Sequence, residues 1–231
     1  GCTTAGPGED EASCSVFGPA IAAGVNRAVD SGARVINISL GGAGGANSTL
    51  RSAINRATSA GIVVIVSAGN EGNDAAPAFD PANPSPFAQA LVANGNGLVI
   101  IAASVDDQGV ISDFSNKAGL SQSTTLSALG EGICCEYRND TIYRFDQNGQ
   151  TFVRVFNGTS FAAPQIAGAA ALLAQAFPNL TGQQIVNLLL TSARDAGAAG
   201  TDAIYGRGIL DITRAFAPSG TTSLAGTTSV V

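Results

Sequence analysis

Histidine, methionine and tryptophan are all missing from the 231-residue sequence. The absent imidazole removes the side chain that most often serves as a general base and as a zinc ligand, so neither role falls to it within these residues. Cationic residues are scarce as well. The 11 Lys and Arg against 17 Asp and Glu give a net charge of −6, and no block of Lys or Arg stands anywhere in the chain. A surface that tracks phosphates is therefore not expected, and nucleic acid is excluded as a natural partner. No apolar run reaches the roughly 18 to 20 residues of a membrane span. The longest, near Ile166 to Phe177, is short and alanine-rich, so no membrane contact by the chain itself is expected. Gly1 is not a translation start and no signal-peptide pattern follows it, which points to a processed product or an excised part of a longer polypeptide.

What is present describes a globular chain. Apolar residues make up 45% and charged residues 12%, outside the range of disordered sequences, and 29 glycines with 9 prolines imply many tight loops. A chain of this length fits one domain and buries about 70% of its unfolded surface. The four cysteines fall into Cys2, Cys14 and the adjacent pair Cys134 and Cys135, none with paired metal-ligand spacing. A bridge from Cys2 to Cys14 would close a short polar loop and suits an exported protein. An ordinary bridge between Cys134 and Cys135 is strained by their adjacency, and that pair is left unassigned.

The chain alternates between helical and strand patterns. Residues 19–31 place Ile21, Val25 and Val29 on one helical face, with Gly32 as a stop. RVINISL, 34–40, reads as a buried strand, which would place Asn37 in the interior. A helix follows from Ser48 as N-cap to Gly61, then a fully apolar strand IVVIVSA, 62–68, and another, LVIIAAS, 98–104. Strand, helix and strand in this order imply right-handed crossovers and a mostly parallel sheet flanked by helices, an α/β fold. Residues 141–156 alternate around Asn148-Gly149 and read as a β-hairpin inserted within 131–156. Thr181 with Gln184 forms a capping box ahead of Ile185 to Leu190, and a last short helix starts after Asp211. The sequence divides into a main domain over 1–217, opening on a loop over 1–18, and a small-residue tail or linker over 218–231.

One stretch carries chemistry. NGTSFAAPQIAG, 157–168, sets Ser160 directly before an alanine-rich helix. At that place Ser160 or Thr159 is either an ordinary N-cap or a nucleophile beside the free N–H groups of the first turn. Pro164 fits near the start of a helix, where the N–H it lacks would be unpaired. The strand IVVIVSA runs into GNEG and puts Asn70 at its C-terminal end, where its amide is either a turn former or a donor to an oxyanion. The strand VINIS runs into LGG, either a plain loop or a backbone edge on which an extended peptide pairs.

Together these stretches resemble the subtilisin-like serine peptidases. The family pattern around the nucleophile stands here as Gly158, Thr159, Ser160, Phe161, Ala162, Ala163, Pro164. VVIVSAGNEG is similar to the family's oxyanion-hole strand, VINISLGG to its substrate-binding strand, and YGRGILD, 205–211, to the chain reversal after its nucleophile helix. The resemblance covers nearly all of residues 19–216. It implies Ser160 as nucleophile, and Asn70 with the Ser160 N–H as oxyanion hole. It further implies Ser39, Leu40 and Gly41 as a peptide-docking edge, and Ser67, Ala68 and Gly69 as one wall of the pocket before the scissile bond. Polypeptide substrates and an exported, secreted or cell-surface location follow from the same resemblance.

The resemblance is incomplete. The family's base and its orienting acid are a His and an Asp, in the chain order Asp, His, Ser, and both lie ahead of the strand that VINIS matches. Glu9, Asp10 and Glu11 match no such motif. The implied partner is therefore an upstream segment of the same protein carrying Asp and His, and this chain alone is expected to be inactive. Its loss would expose Ile36, Ile38 and Val64. A non-catalytic binding or assembly module stays open as the alternative, while an α/β-hydrolase esterase would want Gly-x-Ser-x-Gly, which Gly158-Thr159-Ser160-Phe161-Ala162 is not. No cofactor is required. Relatives often bind calcium, and Asp74, Asp80 and Asn83 offer oxygen ligands in one loop, but without a diagnostic spacing. Asn-x-Ser/Thr sequences at Asn37, Asn47, Asn139, Asn157 and Asn179 are read as incidental. PSGTTSLAG is similar to junctions that join some bacterial relatives to an outer-membrane barrel, as in autotransporters.

Overall fold

In the computed structural model, which describes residues 16–73 and 78–217, four strands lie side by side in chain order. They are β1 (Val35–Ile38), β2 (Val63–Ser67), β3 (Val99–Val105) and β4 (Thr125–Leu129), and every neighbouring pair is parallel. Every residue of β2 and β3 is buried. Because successive side chains of a strand point to opposite faces, a strand apolar throughout needs cover on both sides. Val64, Val66, Val99 and Ile101 pack with α1 (Gly18–Asp30), α2 (Ser48–Ser59) and α3 (Pro86–Ala93). Val63, Ile65, Ile100 and Leu126 pack under α4 (Thr159–Ala176) and α5 (Gly182–Ser192), with the short α6 (Ile212–Phe216) beside them. Ile65, Ile100, Ile101 and Leu126 are fully buried, each stabilising the fold by about 1.5 to 3 kcal/mol relative to exposure.

Small residues let α4 sit close to the sheet. Ala162, Ala163, Ala169 and Ala170 are buried on its sheet side together with Ile166 and Leu173. The helix therefore crosses the sheet with its first turn at the C-terminal ends of the strands, the end where open α/β sheets place ligands.

Several expectations change. The N-cap of α2 is Asn47, whose side chain accepts from Leu50 N at 2.9 Å, so Ser48 already lies inside the helix. Asn37 is exposed, because β1 is an edge strand and pairs with β2 alone among the described residues. Ile36, Ile38 and Val64 are buried and not exposed, since α1 and α2 already cover that face of the sheet. Helix α3 and strand β4 are elements that the sequence reading does not contain.

Between Gly130 and Gly158 the chain builds an arm of three short antiparallel ladders rather than one hairpin. Strand β5 (Ile133–Cys134) pairs with β10 (Val155–Phe156), β6 (Tyr137–Arg138) with β7 (Thr141–Ile142), and β8 (Arg144–Gln147) with β9 (Gln150–Val153). The outermost turn uses Asn148 and Gly149, both at positive φ, 53° and 76°, the geometry that suits a two-residue hairpin loop. The sulfurs of Cys134 and Cys135 lie against each other at the foot of the arm. Thr181 and Gln184 form the complete capping box of α5, and Asp211 caps α6. The pairing of Cys2 with Cys14, the ligand role of Asp74 and the character of 218–231 fall outside the described residues. No described helix is long and apolar enough to cross a membrane.

Candidate active site

Three segments converge at the C-terminal ends of β1 and β2. Ser39, Leu40 and Gly41 leave β1, Ala68, Gly69 and Asn70 leave β2, and the first turn of α4 stands over both. Ser67 is buried, and its hydroxyl donates to the Leu40 carbonyl at 2.9 Å, tying the two strand ends together. Gly41 lies in van der Waals range of the second segment: a Cβ there would stand 3.8 Å from Gly69 Cα. Beside these residues runs a cavity of about 340 Å³ lined by Ile21, Leu40, Gly41, Gly45, Leu50 and Phe87.

Gly69 holds φ +117°, and a Cβ on it would collide with the Glu71 carboxylate and stand 3.0 Å from Asn116 Oδ1. Only glycine meets both demands. Asn116 is fully buried and clamps this loop: its N–H donates to Gly69 O at 3.1 Å, and its Oδ1 accepts from Glu71 N at 2.8 Å. Its amide nitrogen donates to Asn83 O at 2.9 Å. Nothing in the tract DFSNKAG singles out Asn116 in the sequence.

Asn70 is exposed, yet its amide has a fixed orientation. Its Oδ1 accepts from Thr159 N at 2.9 Å and from Thr159 Oγ1 at 2.8 Å, which turns Nδ2 away from Thr159. That nitrogen donates to no protein acceptor among the described residues, and a Cβ placed on Gly158 would lie 3.5 Å from it. Thr159 is almost fully buried and also takes Gly69 N on its hydroxyl at 3.4 Å. The sequence reading has Thr159 within the Gly-Thr-Ser pattern and as a candidate N-cap, but not as the partner that fixes Asn70.

Helix α4 begins at Thr159 with Gly158 as its N-cap and no side-chain cap. Neither Thr159 nor Ser160 is the cap, so both side chains are free for other contacts. Ser160 occupies the second helical position, where its N–H has no partner within the helix and the helix end favours negative charge. Its hydroxyl is half-buried and donates only weakly, to Ser39 O at 3.4 Å. Pro164 lies in the second turn and not at the helix start, so it removes a helical bond that the Ser160 carbonyl would otherwise accept. Gly158 N donates to Gly130 O at 2.8 Å, and the Phe156 and Phe161 rings stack at 5.8 Å, fixing the chain on both sides of the serine.

The oxygens considered for calcium are turned to local donors. Asp80 accepts from Ala82 N at 3.0 Å and from Asn83 Nδ2 at 2.6 Å, and Asn83 Oδ1 accepts from Leu120 N at 2.8 Å. Among the described residues no cluster of His, Cys, Asp or Glu is placed to hold a metal.

The geometry defines the class: an α/β protein with a serine hydroxyl in the first turn of α4 and an immobilised side-chain amide at the end of a parallel strand. The subtilase family profile matches residues 8–208, and the chain belongs to the subtilase family. Subtilisin DY of Bacillus licheniformis is 30% identical over 195 residues, covering 84% of this chain and 60% of that protein. An extracellular protease of Xanthomonas campestris is 34% identical, covering 70% of this chain and 25% of its own length. The solved structure of the prenylagaramide maturation protease PagA superimposes with a TM-score of 0.65 at 28% identity, covering 90% of this chain and 69% of that one. The chain thus spans 60% or less of the length of these two curated relatives.

Proposed function

We propose that this chain is the nucleophile-bearing part of a secreted serine endopeptidase whose catalytic Asp and His are supplied by an upstream segment of the same protein. The observation that carries the reading is the double hydrogen bond from Thr159 to Asn70 Oδ1, which leaves Asn70 Nδ2 beside Gly158, two residues before Ser160. An amide fixed in this way donates to an oxyanion without reorganising.

In the reaction, the Ser160 hydroxyl oxygen attacks the carbonyl carbon of a peptide bond while an imidazole from the upstream segment takes its proton. The carbonyl oxygen becomes an oxyanion held by Asn70 Nδ2 and the Ser160 N–H. The bond to the amine breaks, the imidazole returns the proton to the leaving nitrogen, and an acyl-enzyme remains on Ser160. Water, activated by the same base, then releases the acid. The substrate docks as an extended strand along Ser39, Leu40 and Gly41, with Ser67, Ala68 and Gly69 facing the residue before the scissile bond. The cavity beside Leu40 and Phe87 receives an apolar side chain further from that bond.

An edge without a partner among the described residues supports the upstream segment: the side of β1 away from β2 borders a groove of about 490 Å³ walled by Ile21, Val25, Ile36 and Leu40, suited to an additional strand. The extracellular relative supports secretion. The reading requires no cofactor.

A fluorophosphonate probe tests it. The 231-residue chain alone should remain unlabelled at Ser160, because a serine hydroxyl is a weak nucleophile until a base takes its proton and the sequence has no histidine. Adding the upstream segment, covalently or as a separate chain, should give labelling at Ser160 and cleavage of a peptide substrate. Labelling of the isolated chain at the rate of an intact peptidase would overturn the reading.

A further inference from the structure

We propose that Ser39 and Asn37 are positioning residues for the nucleophile, acting through the Ser160 carbonyl oxygen that Pro164 leaves without its helical donor; the proposal rests on Ser160 being the nucleophile. In an α-helix the carbonyl of a residue accepts the N–H four positions later. For Ser160 that position is Pro164, which has no N–H. The Ser39 hydroxyl supplies the missing donor from outside the helix, at 2.9 Å. It has one proton to give, and its direction is set from behind: Asn37 Nδ2 donates to Ser39 Oγ at 3.0 Å, so the Ser39 proton is left for Ser160. Asn37 and Ser39 stand two positions apart on one strand end and so share a face, the one that carries α4. A polar relay thus runs from the exposed edge strand to the backbone of the nucleophile.

Two consequences give this bond its role. The Ser160 N–H and its hydroxyl ride on the same turn, so a shift of that turn displaces the oxyanion donor and the attacking oxygen together. The carbonyl is held firmly while the hydroxyl is held loosely, its own bond to Ser39 O measuring 3.4 Å. The backbone is fixed and the reactive oxygen stays free to turn to a base. The dependence on Ser39 exists only because residue 164 is proline.

That dependence supplies the test, made in the natural polypeptide that carries these residues with the segment supplying the base. Ser39→Ala should lower kcat about tenfold with KM within about twofold, and should speed amide exchange at residues 161–163 about tenfold. Asn37→Ala should move both readouts in the same direction by less, and Ser39→Thr, which keeps the hydroxyl, should restore them. Adding Pro164→Ala to Ser39→Ala returns an N–H to the Ser160 carbonyl, and both readouts should recover to within about threefold of Pro164→Ala alone. A Ser39→Ala variant that changes neither readout overturns the proposal, as does a double variant no better than the single one. If the unsubstituted polypeptide shows no turnover, the nucleophile reading has failed, while the exchange comparison still decides whether Ser39 and Pro164 are coupled.

Discussion

Thr159 donates twice to Asn70 Oδ1, from its backbone nitrogen at 2.9 Å and from its hydroxyl at 2.8 Å. The pair turns a flexible amide on the protein surface into a donor of fixed direction. If Asn70 holds the oxyanion, Asn70→Ala should lower kcat by about 10² to 10³ with little change in KM, the size of loss that removing one oxyanion-hole donor brings. Thr159→Val keeps the backbone bond and loses the hydroxyl, and should cost about tenfold. Because both changes act through one amide, the double variant should be no slower than Asn70→Ala. Steady-state kinetics on a peptide substrate decides, and a raised KM at constant kcat would move Asn70 from the oxyanion hole to ground-state binding.

Asn116 is the buried clamp of the loop that carries Asn70. Asn116→Ala removes the acceptor for Glu71 N–H and the donor to Asn83 O, and should destabilise the fold by about 2 to 3 kcal/mol. For a chain of this size the melting temperature should fall by about 4 to 12 °C. Calorimetry on the natural polypeptide measures it, and an unchanged transition would show that the loop is held by other contacts.

Thr181→Ala breaks the capping box of α5 and should cost about 1 kcal/mol. Helix α5 opens beside Gly61 and Leu98, at the N-terminal ends of β2 and β3 and so at the opposite end of the strands from Asn70, and kcat and KM should both stay at their original values. Denaturant titration beside kinetics separates the two effects. A fall in kcat would show that α5 is coupled to the site.

The isolated 231-residue chain should self-associate, because the edge of β1 that has no partner among the described residues offers backbone donors and acceptors to a second strand. Sedimentation should show mass rising with concentration, and addition of the upstream segment should suppress it. A chain that stays monomeric throughout would mean that the edge is covered by residues outside the described ones.

The readable parts of the sequence were those in which one local force dominates. VVIVS and VIIAASV are apolar at every position, and only a strand covered on both faces uses such a run. Thr181 with Gln184 announces a helix start through two reciprocal bonds. Strand β4 escaped because TLSAL has one β-branched residue and a serine whose hydroxyl is satisfied by a distant carbonyl, Tyr205 O. Helix α3 lies only eight residues long behind Pro84 and Pro86, where the turn signal outweighs the period. At the candidate site, the places of Asn70 after β2 and of Ser160 at the start of α4 were legible through their motifs. Asn116 was not, because its partners lie 33 and 45 positions away. Pro164 was misplaced for a related reason. Whether a proline is harmless depends on the helix boundary, which local propensity leaves uncertain by a turn.

The bond from Gly158 N to Gly130 O has a consequence for how the molecule can vary. It brings the two ends of the arm together immediately ahead of Ser160, and among the described residues each ladder strand of the arm pairs with another strand of the same arm. The excursion begins and ends at one point, so its length is thermodynamically almost neutral: the entropy of closing a loop grows only with the logarithm of its size. A segment of quite different length or sequence could be spliced between Gly130 and Gly158 without altering the pairing of the central sheet. The arm is thus a cassette at the rim of the strand ends, one whose size and sequence can change while the sheet beneath stays as it is.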